Sequence, residues 1–157
     1  MRASLLPLLL ALPWAARSGE PPGQGTLTIL ARDFDGDLGQ AVVFLYRKDD
    51  KLPKAPFRKA FASILNREST LEFADLPYGE YAAILLHDQN GNGEIDHSFG
   101  IPSEPLGYTR GWKLDLFSGM PTFEKLRFRF SESEKSQTIP IVFGKKAKSE
   151  KTGRDAS

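Results

Sequence analysis

Oxygen-bearing side chains fall at Asp88, Asn90, Asn92 and Asp96 within the stretch Asp88-Gln89-Asn90-Gly91-Asn92-Gly93-Glu94-Ile95-Asp96. Their spacing of two, two and four, with Gly93 where the chain must turn, matches the D-x-[DN]-x-[DN]-G half of an EF-hand-type loop. Calcium takes six to eight oxygen ligands, and alternate residues of a tight loop aim side chains at one point. In that scheme Asp88, Asn90 and Asn92 are ligands, Glu94 offers its backbone carbonyl, and Asp96 binds directly or through water. The twelfth position, where a bidentate glutamate belongs, is Phe99, and no helix pattern flanks the loop. That argues against a helix–loop–helix sensor and leaves a distant carboxylate, Asp115 or Glu104, to complete the shell. The expectation is a structural Ca2+ of affinity near the ~10⁻⁴–10⁻³ M of extracellular modules. The competing reading is an Asn/Gly turn whose side chains bond their own backbone.

His87 and His97 flank the loop, each beside a carboxylate. Without cysteine, and with no H-x-H or H-x-x-H spacing, two histidines are a weak metal or acid–base signal. Downstream, Tyr108, Trp112, Phe117 and Phe123 are of the aromatic kind that forms ligand patches and sugar platforms. Tyr108 and Trp112 are the candidate ligand surface; the bland alternative is a loop whose aromatics cover an open end of the core. Ser103 and Ser118 lie in no nucleophile-elbow pattern, and no phosphate-cradling loop is present.

The elements that must position these residues read as strands. Thr26–Ala31 alternates with period two, and a Gly/Asp turn leads to the apolar run Gln40–Tyr46, together suggesting an opening hairpin. Phe57, Phe61 and Leu65 fall at helical spacing, but the neighbourhood favours an edge strand. Thr70–Phe73 alternates, the Asp75–Glu80 turn follows, and Tyr81–Leu86 is apolar throughout, as befits a central strand covered on both faces. Residues 97–124 form a long Gly-, Pro- and aromatic-rich loop, a length that in compact domains usually accompanies function. Lys125–Phe130 alternates strictly, and Pro140 assigns Thr138–Phe143 to an edge or a bulge. The sum is an all-β domain: a single antiparallel Ig-like β-sandwich of about seven strands, with a long ordered loop after the central strand.

Across 157 residues the chain is 40% apolar and 26% charged, with eleven Phe, two Met and no cysteine. That is globular composition with strand-forming core material. It leaves no disulfide, thiolate zinc site, cysteine nucleophile or lipidated cysteine anchor. Arg2 followed by Leu5–Leu12 and small residues at Ala16 and Ser18 matches a secretory signal peptide over 1–18, cleaved before Gly19. The apolar run is short of the ~20 residues of a transmembrane helix. Residues 19–25 form a Pro/Gly lead-in, 26–144 the β-sandwich domain, and 145–157 a basic tail expected to be disordered. The body over 19–144 holds 14 basic and 18 acidic residues, a net of −4, which does not suit nucleic acid as a partner.

Phe73-Ala74-Asp75-Leu76-Pro77-Tyr78-Gly79-Glu80-Tyr81, His87–Asp96, Phe99-Gly100-Ile101-Pro102-Ser103-Glu104 and Pro121-Thr122-Phe123-Glu124 occur in an order that resembles an uncharacterised family of exported bacterial proteins, known only as a domain of unknown function. The Leu-Pro-x-Gly-x-Tyr turn is also similar to that of transthyretin-like and collagen-adhesin-B-type sandwiches. The resemblance implies a periplasmic or secreted β-sandwich and no known activity. The expectation is therefore an exported, non-catalytic binding or structural module with a cell-envelope protein or glycan as partner. The alternatives are a periplasmic enzyme or a carbohydrate-binding module built on the 97–124 loop.

Overall fold

Tyr81–Leu86, the most apolar run, lies in a strand that is buried on both faces, and the architecture follows from the need to cover each of them. The computed structural model describes residues 23–114 and 118–144. The expected signal peptide, residues 19–22 of the lead-in, Asp115, Phe117 and the basic tail lie outside the described residues.

Ten strands and two helical turns follow in order: β1 Gln24–Arg32, β2 Gln40–Tyr46, β3 Arg58–Ser63, β4 Glu68–Pro77, β5 Gly79–Asp88, β6 His97–Ser98, β7 Ile101–Pro102, β8 Leu106–Tyr108, a 3-10 turn Thr109–Gly111, α1 Phe123–Leu126, β9 Phe128–Phe130 and β10 Ser136–Phe143. All but β6 and β7 form one sheet, in the order β3-β2-β5-β8-β10-β1-β4, with β9 also on β5. The end strands approach each other: Leu65 bridges Glu68, Ser69 Oγ donates to Ser63 O at 2.9 Å, and an Arg58 guanidinium N–H donates to Ala74 O at 2.7 Å. The domain is all-β as expected, but it is one sheet wrapped into a nearly closed barrel rather than two facing sheets.

Alternation places side chains alternately inside and outside this barrel. Ala41, Val43 and Leu45 of β2 and Tyr81, Ala83 and Leu85 of β5 join Leu27, Ile29, Leu71 and Ile139 in the interior. Val42, Phe44, Tyr46, Ala82, Ile84 and Leu86 face outward, yet they are buried, because Leu106, Tyr108, Phe123 and Leu126 lie against them. The segment after β5 is thus a cover for the outer wall. At roughly 1.5–3 kcal/mol for each large side chain buried, this second cluster adds substantially to the core.

Three local expectations are corrected. β1 and β2 do not form a hairpin: β1 pairs antiparallel with β4 and parallel with β10, while β2 lies between β3 and β5. The 33–39 turn instead crosses one barrel end, with Phe34 fully buried and Asp37 accepting the backbone N–H groups of Asn66 and Arg67. β10 is internal rather than an edge. Pro140 sits at the last residue paired with β1, beside a register shift against β8, where a missing N–H costs little. Of Lys125–Phe130 only Phe128–Phe130 is strand, because residues 123–126 turn helically and seat both Phe123 and Leu126 on the outer wall.

On the edge of β5 away from β2, β9 pairs with residues 79–81 and β8 with residues 84–86, which leaves a seam between them. Thr109, fully buried, closes it: its hydroxyl accepts the Ala83 N–H at 3.2 Å and donates to Leu126 O at 2.6 Å. Beside it Gly107 lies so close to β10 that a Cβ would stand 2.3 Å from Pro140 O. Thr109→Val keeps the side-chain shape but leaves a buried N–H and C=O unpaired, and should cost about 1–3 kcal/mol. The measurement is a urea titration, with a lower midpoint at unchanged slope. A wild-type midpoint would show that the hydroxyl does not hold the seam.

Candidate functional site

The 88–96 loop closes on a carboxylate. Asp88 is fully buried at the end of β5. Its Oδ1 accepts the backbone N–H of Gly91 at 2.7 Å and of Asn92 at 3.2 Å, and its Oδ2 accepts Gly93 N–H at 2.8 Å and Gln40 Nε2 at 2.7 Å. These four donors use the four lone-pair positions of the group. Gly93 at φ 72° aims its N–H inward, and a Cβ there would meet the Phe61 ring at 3.1 Å. Burial pushes the Asp88 carboxyl up, but the Gln40 amide and the N–H groups of Gly93, Gly91 and Asn92 outweigh it and hold the group below its usual range.

Asn90 and Asn92 repeat the pattern. Asn90 Oδ1 accepts Asn92 N–H at 3.0 Å, and Asn92 Oδ1 accepts Glu94 N–H at 2.8 Å. These contacts fix which way each amide points. The two Nδ2 groups therefore face Asp96 and donate to its Oδ2 at 2.6 and 2.9 Å. The structure thus brings Asp88, Asn90, Asn92 and Asp96 into one network, but the Glu94 side chain leaves it to pair with Lys59 Nζ at 2.7 Å. In this arrangement the acceptors of the loop are engaged by the loop's own donors and by Gln40. Asp88 has no lone pair left, and Asp96 receives amide N–H groups where a cation would stand. No cluster of three or more His, Cys, Asp or Glu suited to a metal occurs among the described residues.

His87 and Asp88 are neighbours in β5 and point to opposite faces, so they form no acid–base pair. His87 faces inward, with Nε2 2.9 Å from Leu38 O and its ring edge-on to Phe34 at 5.1 Å. His97 is exposed on the β6–β7 hairpin. Glu104 is buried with Oε1 accepting the Gln89 N–H at 2.9 Å, bracing the loop from behind, while its Oε2 is buried without a hydrogen-bond partner among the described residues. Tyr108 and Trp112 do not make an exposed platform. Tyr108 is buried, its phenol pushed up to about 12 by that burial, and Trp112 meets it edge-on at 4.8 Å while Lys125 Nζ lies 5.7 Å from its ring.

Tyr108 instead helps line a cavity of about 380 Å³ between the outer wall and its cover. Ile84, Leu106 and Phe143 contribute from the sheet, Ile95 and Leu114 from the flanking segments, and the β6–β7 hairpin and Met120 from the mouth. Of all its lining residues only His97 and Tyr108 carry a polar side-chain atom. The hairpin turns through Phe99 and Gly100 at φ 51° and 80°, the two-residue turn in which both central positions are left-handed. Asn or Asp normally precedes Gly there, whereas here a phenylalanine stands fully exposed, beside exposed Ile101 and Met120. Sequence reasoning missed this cavity because its apolar lining comes from stretches scattered between Pro53 and Phe143. The available signal was Tyr81–Leu86: a strand apolar on both faces requires an outer cover.

Because the folded Asp88 pKa lies below the ~3.9 of an unfolded aspartate, its stabilising contribution is fully present above about pH 4 and is lost as pH falls through the folded value. Asp88→Asn should lower stability at neutral pH and flatten the acid limb of a stability–pH curve measured by thermal melts. An acid limb identical to wild type would show that the loop does not depend on this charge.

No curated protein and no solved structure matches the chain. A family model described as an uncharacterized protein conserved in bacteria, DUF2141, matches residues 30–138, from within β1 to within β10, and takes in the loop and every residue lining the cavity except Phe143. The chain belongs to this bacterial family.

Proposed function

We propose that the chain is an exported, non-catalytic binding module that holds a small apolar molecule between the outer wall of its barrel and the covering segment. The observation that carries this reading is the apolar cavity of about 380 Å³, within the ~300–1,000 Å³ of ligand pockets. The exposed Phe99 ring supports it, since a bulky residue in a left-handed turn costs backbone energy that its contacts outside the fold must offset. Titration with a neutral apolar dye such as N-phenyl-1-naphthylamine should give saturable one-to-one binding. Leu114→Trp, which places an indole in the cavity wall, should weaken that binding at least roughly tenfold, about 1.4 kcal/mol. No saturable binding, or equal binding by both proteins, overturns the reading.

Export rests on the Arg2, Leu5–Leu12 and Ala16-Arg17-Ser18 pattern. N-terminal sequencing of protein recovered from the periplasm or medium should begin at Gly19; an intact Met1 on protein confined to the cytoplasm removes this part of the proposal.

The 88–96 loop is read as a brace that stands without a cation, supported by the filled lone pairs of Asp88 and the two amides on Asp96. Melts in millimolar calcium and in chelator should coincide. Asn90→Asp with Asn92→Asp turns both amide donors into carboxylates facing Asp96, so that variant should be destabilised in chelator and recover on adding calcium. A wild-type melt raised several degrees by calcium would instead establish a structural Ca2+ site.

A further inference from the structure

A second pocket of about 250 Å³ adjoins the apolar cavity, sharing Pro53, Ile95 and His97 as common wall. Its character differs: Lys54, Lys59 and Glu94 line it along with His97. Lys59 is committed, its Nζ 2.7 Å from Glu94 Oε1 and 3.0 Å from Gly93 O, so Lys59 and Glu94 neutralise each other. Lys54 is exposed, takes part in no ion pair between described residues, and leaves this pocket with one uncompensated positive charge. A molecule filling both pockets therefore meets an apolar chamber at one end and a cation at the other.

Resting on the binding reading above, we propose that the ligand is a single-chain amphiphile with an anionic head. Its chain lies in the apolar cavity and its head reaches Lys54 past His97. The size is consistent: a dry cavity of ~150 Å³ holds one benzene, so the larger volume suits a chain on the order of ten to fifteen carbons. The outer wall supplies the chain with carbon contacts, and burial of each methylene is worth about 0.8 kcal/mol. The head needs only one mobile cation, because it remains partly hydrated at the open pocket. Exposed Ile101 and Met120 line the apolar cavity and Lys54 lines the second pocket, so the two ends differ in polarity.

The test compares dodecanoate with dodecanol, and with dodecyltrimethylammonium, each below its micellar concentration, by calorimetry on the full chain. Dodecanoate should bind at least roughly tenfold tighter than either, a difference of about 1.4 kcal/mol. Its affinity alone should fall as salt screens the head contact. Lys54→Glu, an exposed change that leaves the melt in place, should abolish the preference while dodecanol binding stays as it was. Equal binding of the three by wild type, or a preference that survives Lys54→Glu, overturns the head assignment and leaves the apolar cavity standing. Binding of none overturns both.

Discussion

A strand that is apolar on both faces must be covered twice, and β5 imposes that condition on the whole chain. Its inward residues Tyr81, Ala83 and Leu85 are met by the wrapped sheet, and its outward residues Ala82, Ile84 and Leu86 by the segment that follows it. The cover cannot be a second sheet packed face to face, because its own backbone has few ladder partners. It is irregular chain whose polar groups must be satisfied one at a time. Thr109 does this at one end, and the Ser103 N–H does so at the other by donating to Asp96 O at 2.9 Å. Lys125 Nζ ties the stretch after Thr109, donating to Ser118 O at 2.6 Å and Met120 O at 3.0 Å.

The loop joining β5 to its cover illustrates how residue type sets the polarity of a site. A cation loop needs oxygens that face inward with lone pairs free. Here the backbone N–H groups of residues 91–93 converge on Asp88, which makes the centre a nest for an anion that the chain itself supplies. At 90 and 92, asparagine instead of aspartate brings a donor as well as an acceptor on each side chain. The acceptor closes a local backbone turn and the donor satisfies Asp96. Two carboxylates are thus balanced by six N–H donors.

Much of the strand content was legible because alternation and turn residues are local. Double-sided burial of Tyr81–Leu86 follows from a side-chain pattern read over a few positions, whereas Arg58–Ser63 reads as a strand from its β neighbourhood against the helical spacing of Phe57, Phe61 and Leu65. What alternation cannot show is whether inner faces belong to one curled sheet or two flat ones. Nor does it show that β1 takes a parallel partner more than a hundred residues downstream. Pro140 leaves an edge and a bulge open: the strand is internal, and the register shift beside the proline is the irregularity that tolerates it. At the loop, the oxygen spacing was visible but the direction of the donors was not, since the same Asp and Asn types serve both polarities. Tyr108 and Trp112 were flagged for their chemistry, but β8 draws Tyr108 into the sheet, and burial turns a candidate platform into a cavity wall.

The cavity is the physical remainder of this covering problem. Where polar anchors pin the cover, at Thr109 and at the base of the β6–β7 hairpin, chain and sheet are in contact. Between those anchors the distance is set by backbone hydrogen bonds rather than by side-chain size, and Ile84, Leu106 and Leu114 do not fill it. A well-packed domain avoids such space, because unfilled apolar volume forfeits dispersion and costs stability in proportion to its size. A void of this volume, opening beside an exposed phenylalanine held in a left-handed turn, concentrates two unfavourable features at one place. Both are relieved by the same event, an apolar chain entering from outside, and that shared remedy is why we place the proposed binding site here rather than at the 88–96 loop.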